Sequence, residues 1–189
     1  MIKKISLSIL VLVLALILGF LAFVQLSWNK TYDIPYPELQ VSKDSTVIQR
    51  GKYLVHGPAH CSNCHVGNIG EMIATDAGEN IPLKGGADFP LGPIGTISPK
   101  NLTPDSTTGI GRYTDEELFR MMRHAVKPDG TATLSILMPF WNMADEDIIA
   151  VVSYLRSMTP VKNEVPENRW TFMGKIVRVL ASSFQPIEN

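Results

Sequence analysis

Cys61-Ser62-Asn63-Cys64-His65 contains both cysteines of this 189-residue chain. Two thiols three positions apart, followed at once by a histidine, form the pattern that attaches a c-type haem. Each position has a chemical reason. The thiols lie on one turn of chain, where they can add to the two vinyl groups on one edge of the porphyrin. The adjacent imidazole then supplies the proximal nitrogen ligand to iron. A zinc site needs four ligands, usually from a second Cys/His pair at similar spacing, and the sequence has none. A thioredoxin-like dithiol sits near a βαβ pattern, which is not found here, and leaves His65 without a role. One covalent haem c is therefore the expected cofactor, with Cys61 and Cys64 as its anchors and His65 as a ligand to the metal.

Eight methionines compete for the far side of the iron. Met1 is terminal and Met173 lies beyond the helical core. Met121, Met122 and Met158 fall on apolar helical stripes, where packing is the default role. Met72 follows His65 too closely to cross to the opposite face. Met138 and Met143 remain. Pro139 drives Met138 away from helical backbone, so Leu137-Met138-Pro139-Phe140-Trp141 offers a thioether on stiff chain among bulky apolar residues. Met138 is the preferred sixth ligand and Met143 the alternative, His/Met being a common axial pair. His56, His60 and His124 read as solvated side chains, His60 being placed beside Cys61 to influence the iron. His65 is expected to donate its second ring N–H to a carbonyl, with Pro93 and Pro99 as candidates.

Three helices must position these groups. The first starts near Asp44 or Ser45 and aligns Ile48, Gly51 and Leu54/Val55 on one face. Gly51 costs a helix about 1 kcal/mol relative to alanine, which makes sense if another helix crosses closely there. The second opens with a capping box of Thr114 and Glu117, carries Asp115 and Glu116 in its first turn, and stops near Lys127-Pro128. The third runs from Asp145 to about Met158, striped by Ile148, Val151/Val152 and Leu155, and ends at Thr159-Pro160. Between the first two lie 47 residues, Val66 to Arg112, with nine glycines and five prolines and little periodicity. A loop that long needs an organiser, and a bound haem is a large apolar plate around which irregular chain packs.

The two ends carry other signals. Lys3 and Lys4 precede an apolar run from Ile5 to Leu26, long enough for a helix of about 33 Å, close to bilayer hydrocarbon thickness. A cleaved signal peptide has a shorter apolar stretch and a small-x-small site, so an uncleaved single-pass anchor is the preferred reading. The lysines keep the N-terminus cytoplasmic, which puts the rest in the periplasm against the inner membrane, the side on which bacterial c-type haem is attached. Formal charge is −1 overall and −3 without Lys3 and Lys4, which gives no basis for nucleic-acid binding. Residues 1–26 are thus the anchor, 27–44 a linker containing Pro35 and Pro37, 45–160 the haem domain and 161–189 an amphipathic tail. The linker can reach about 60 Å, enough to let the domain move over the membrane. In the tail, Trp170, Met173, Val177, Leu180 and Phe184 form an apolar stripe opposite Thr171, Lys175, Arg178, Ser182 and Gln185. Packing on the domain or a partner is preferred for it over lying in the membrane interface.

With these residues in hand, the chain over residues 44–160 resembles the class I cytochrome c family. The likeness rests on Gly51 and Tyr53 in a first helix, Cys61-Ser62-Asn63-Cys64-His65, Met138-Pro139, and a last helix with Tyr154-Leu155. Ser98-Pro99-Lys100-Asn101-Leu102-Thr103-Pro104-Asp105, Gly109-Ile110-Gly111 and Tyr113-Thr114-Asp115-Glu116-Glu117 make it more particular. They resemble the cytochrome modules of membrane-associated bacterial dehydrogenases for alcohols, aldehydes and sugar acids. Those cytochromes often carry several haem domains, whereas this chain has one Cys-x-x-Cys-His. Ala144 stands where a capping Thr or Ser would be usual. The resemblance implies an all-α fold with crossing first and last helices. It also implies packing of Ile110, Tyr113 and Trp141 near the haem, and polar contact of Asn101 or Arg112 with its propionates.

Iron held by a nitrogen and a thioether has no open position for substrate, which describes an electron carrier rather than an enzyme. A quinol-oxidising complex or a dehydrogenase is the expected donor and a terminal oxidase the acceptor. Two alternatives stand: a fixed haem subunit of a larger complex, and a haem enzyme or sensor with a displaceable sixth ligand.

Overall fold

A computed structural model describes residues 2–187, with residues 2–6 and 183 described by backbone alone; Met1 and the side chains of Lys3 and Lys4 lie outside the described residues. The α-helices are α1 (Ile2–Ser27), α2 (Ser45–His56), α3 (Ile69–Asp76), α4 (Asp115–His124), α5 (Asp145–Ser157) and α6 (Phe172–Leu180). Three short strands, β1 (Phe89–Pro90), β2 (Gly95–Ile97) and β3 (Arg169–Trp170), form an antiparallel sheet in that order. The molecule is therefore mostly helical rather than all-α.

The core is built on the crossing of α2 and α5. Asp44 caps α2, its carboxylate accepting from the Thr46 amide at 2.7 Å. Gly51 sits at the crossing: a Cβ there would lie 1.9 Å from the Ala150 carbonyl oxygen, so only glycine lets the two backbones meet. Val55, Ile148 and Val151 are fully buried around this point. The Arg50–Asp147 ion pair at 2.5 Å and the His56–Tyr154 hydrogen bond at 2.9 Å also join the two helices.

α4 has the expected capping box, Thr114 Oγ1 accepting from the Glu117 amide and Glu117 accepting from the Thr114 amide. It stops at His124, three residues before Lys127, because Ala125 turns to φ +55° and Val126 pairs with Ala132. α5 starts at Asp145 without a side-chain cap from Ala144. Arg123 braces that start instead, donating to the Trp141 carbonyl at 2.5 Å and the Met143 carbonyl at 2.9 Å and pairing with the Asp145 carboxylate. The last turn ends at Ser157, and Met158 is already extended.

The glycine-rich stretch 66–112 is more ordered than its composition suggests. It holds α3, whose cap Asn68 accepts from the Glu71 amide at 3.0 Å, and the β1–β2 pairing. Two helical turns including Gly70 are too short for a periodic signal. Backbone hydrogen bonds organise the remainder: Gly85 and Ala87 donate to the carbonyls of His65 and Val66, while Gly86 donates to Pro99 and Leu102 donates to Leu83.

The linker is extended, as expected, but it is not loose. Thr31 bridges Thr131, the Tyr32 amide donates to Gly130, Arg120 stacks on Tyr36 at 4.6 Å, and the Ser42 amide donates to Ser153 Oγ at 2.8 Å. Leu39 and Val41 pack on the core. The tail is helical, but α6 buries Gly174 and Arg178 and leaves Met173 and Leu180 exposed. The stripe assigned to its packing face is therefore partly outward. Arg178 turns inward because aromatic rings and backbone carbonyls receive it there. The span Leu7–Ser27 within α1 is long and apolar enough to cross a membrane.

Candidate haem site

A single 3₁₀ turn, Cys61–Asn63, carries the motif. The amides of Cys64 and His65 both donate to the Cys61 carbonyl, at 3.2 and 2.9 Å, which holds the thiols and the imidazole on one turn. His60 enters this turn with φ +51° and its side chain exposed.

His65 Nδ1 lies 2.7 Å from the Lys100 carbonyl oxygen. The acceptor is the residue after Pro99, not Pro99 or Pro93, because Gly85 lets the strand of chain at 99–100 come close. Gly85 has φ +68°, and a Cβ on it would lie 2.4 Å from the Pro99 oxygen and 2.7 Å from the Lys100 oxygen. With Nδ1 as donor, Nε2 is left as the ring's lone-pair nitrogen. Burial holds the His65 imidazole below its ordinary pKa, and the Lys100 hydrogen bond pulls it partly back up. That direction favours the neutral imidazole, the form that ligates a metal.

Burial pushes the Cys61 thiol up to about 12 and raises that of Cys64 as well. Neither is a ready thiolate, which argues against a redox dithiol at this place. Among the described residues no group of three or more His, Cys, Asp or Glu converges to hold a bare ion. The surroundings are apolar instead. Cys61 belongs to one buried cluster with Leu83, Leu102, Ile110 and Phe140, and Met72, Tyr113, Met138 and Met143 pack against it half-buried. One imidazole, two adjacent thiols and a thioether on an apolar core suit a haem c better than any hydrated cation.

Met138 follows the 3₁₀ turn Ser135–Leu137 in non-helical backbone, its amide donating to Ser135 at 3.0 Å. Met143 shares the same cluster, so both candidate thioethers are brought to the core. Ile110 is buried, and Tyr113 and Trp141 are half-buried. Arg156 holds Ile110 and Tyr113 in place, donating to their carbonyls at 2.9 and 2.6 Å while pairing with Asp115 at 2.7 Å. Arg112 is exposed, its guanidinium 4.8 Å from the Tyr113 ring.

Asn101 makes its side-chain hydrogen bonds inside the protein. It is 2% exposed, its Oδ1 accepts from the Thr103 amide and hydroxyl, and its Nδ2 donates to Thr108 and to the Val161 carbonyl. These partners make it an internal tie between the loop and the start of the tail. Arg156 and Arg123 are the residues that sequence reasoning left out. Their only sequence signal was a basic residue in the last turn of a helix, which points to a dipole partner rather than to a clamp on distant carbonyls.

No protein-family model matches the chain. Curated relatives do. It is 35% identical over 133 residues to the alcohol dehydrogenase (quinone) cytochrome c subunit of Gluconacetobacter polyoxogenes, covering 67% of this chain and 26% of that protein. It is 33% identical over 153 residues to the gluconate 2-dehydrogenase cytochrome c subunit of Pantoea cypripedii, covering 79% and 29%. With the fructose dehydrogenase cytochrome subunit of Gluconobacter japonicus it shares 37% identity over 119 residues, covering 61% and 21%. The chain thus spans about a quarter of the length of these relatives. It is a homologue of the cytochrome c subunits of bacterial alcohol, gluconate and fructose dehydrogenases and resembles a cytochrome module of such proteins.

Proposed function

We propose that this chain is a membrane-tethered monohaem cytochrome c that transfers single electrons on the periplasmic side of the inner membrane. The observation that carries this reading is the His65 imidazole. It is fixed to the Lys100 carbonyl and held on one turn with both cysteines against an apolar core that Met138 also touches. Haem c, when bound, would supply a one-electron ferric/ferrous couple.

The residues divide the work. Cys61 and Cys64 would attach the group, and His65 would hold its iron through Nε2. Met138 would supply a soft ligand, which favours the reduced state. Ile110, Tyr113, Phe140 and Trp141 exclude water, and Arg112 meets the propionates at the surface. Lys100, through its carbonyl, sets the orientation and basicity of the imidazole.

A dehydrogenase is the preferred donor, because the relatives are named as subunits of dehydrogenases. A quinol-oxidising complex is a second donor class and a terminal oxidase the acceptor. The docked linker and tail favour a fixed subunit of a complex over a domain swinging on a tether. Absorption spectra of the oxidised wild type and of Met138→Ala test the ligand set. The sulfur-to-ferric-iron charge-transfer band is expected in the first and lost in the second. Its survival in Met138→Ala would pass the role to Met143.

A further inference from the structure

At the foot of α1 a cavity of about 240 Å³ opens between the anchor, the first linker residues and the tail, lined by Phe23, Trp28, Lys30, Tyr32, Arg178 and Phe184 among others. Its chemistry is unlike that of the haem core. Arg178 is 9% exposed. Its Nε donates to the Trp28 carbonyl at 3.1 Å and its Nη2 to the Ala132 carbonyl at 3.4 Å. The guanidinium carbon lies 5.0 Å from the Trp170 ring, 5.3 Å from Phe184 and 6.0 Å from Trp28.

Aromatic faces and carbonyls soften the burial of a cation but supply no full negative charge. Arg178 belongs to none of the ion pairs among the described residues. Asp129 exerts some attraction on it, but that carboxylate already accepts from Thr131 and pairs with Lys127 at 3.1 Å. Burial accordingly presses the Arg178 pKa down. Two more cations stand close by. Lys30 Nζ lies 5.1 Å from the Tyr32 ring centroid, and Lys175 Nζ lies 4.7 Å from that of Trp28 while donating to Gln25. All of this collects where the apolar span Leu7–Ser27 ends. Tryptophans and cations at the end of a span occupy the headgroup layer, where the available anion is a lipid phosphate.

We propose that this cavity binds the phosphate of an anionic phospholipid, with Arg178 and Lys30 on the phosphate oxygens and the acyl chains along the exposed apolar surface of α1 beside Phe23. The inference rests on reading α1 as a membrane anchor. A lipid held there completes the charge of Arg178 and ties anchor, linker and tail into one unit. That unit sets how the haem domain stands on the membrane.

The test uses the full, haem-loaded chain, first in vesicles and then in non-ionic detergent. Native mass spectrometry and thermal melting are recorded with added phosphatidylglycerol, phosphatidylcholine or inorganic phosphate. Phosphatidylglycerol is expected to bind about tenfold more tightly than phosphatidylcholine, and Lys30→Gln to reduce that preference about fivefold with an unchanged haem spectrum. Arg178→Gln should reduce it at least as much; should that variant fail to fold, the exposed Lys30 still decides the matter. Equal binding of the two lipids, or a preference that Lys30→Gln leaves intact, would overturn the site. Stabilisation by inorganic phosphate equal to that by the lipid would make it a free-anion site and remove the lipid. An alkaline carbonate wash of the vesicles reports on the anchor separately. Release of the chain would overturn the anchor reading and the lipid site with it, whereas retention with equal lipid binding would overturn the lipid site alone.

Discussion

The α2–α5 crossing is closely packed, whereas the junction at the foot of α1 leaves a cavity, and the two are held by different physics. At the crossing, Gly51, Val55, Ile148 and Val151 meet through close van der Waals contact and apolar burial. At the junction, residues about 150 positions apart are joined by polar links: Tyr32 to Gln185 at 2.5 Å, Lys175 to Gln25, and Arg178 to the Trp28 carbonyl. Apolar packing punishes any change of volume, whereas a wet polar network loses one bond at a time. Cys61 belongs to the first kind of structure, and the cavity proposed for lipid lies in the second.

Substitutions sharpen that contrast. Gly51→Ala drives a methyl into the Ala150 carbonyl and should destabilise the haem-loaded chain by about 3 kcal/mol, read as a lower denaturant midpoint. A loss under about 1 kcal/mol would mean that the helices separate easily and that the crossing is no tighter than the junction. Tyr32→Phe removes one hydrogen bond at the junction and should cost about 1 kcal/mol with the haem spectrum unchanged. A change in that spectrum would break the separation of the two regions. Ala144→Ser supplies the side-chain cap that α5 lacks and should stabilise by about 1 kcal/mol in the same measurement.

The smallest effect concerns pH. Burial, with Lys52 pressing the same way, holds the His56 imidazole below its ordinary pKa of about 6.5. The unfolded chain therefore takes up the proton first. The contribution of neutral His56 is complete above about pH 6.5 and is lost as pH falls toward the folded pKa. Melting temperatures measured across this window should decline on acidification, and His56→Gln should flatten the decline.

What could be read from the sequence follows the same division. The capping box of Thr114 and Glu117, the stripe of α5 and the close approach at Gly51 are local or periodic signals, and the structure contains all three. Cys61, Cys64 and His65 stood out in the sequence because their spacing is the one that haem attachment demands, and the structure places them on one turn. The Lys100 carbonyl was not, since any residue can offer a carbonyl and the choice depends on how Gly85 lets two loops approach. α3 was hidden by its length, and Asn101 by its neighbours, which absorb every polar atom it has. Arg178 was misplaced because an arginine on a helix is ordinarily a solvated residue. Only the rings brought in from residues 28, 170 and 184 make an interior position tolerable.

The central claim is a porphyrin bound through both thiols of residues 61 and 64, and intact-mass analysis of protein matured in a haem-attaching host tests it most directly. The account predicts a chain heavier by one haem that keeps its pigment through acidified organic solvent, with Cys61→Ala and Cys64→Ala each losing one of the two linkages. An unmodified mass, or pigment that washes away from the wild type, would contradict it.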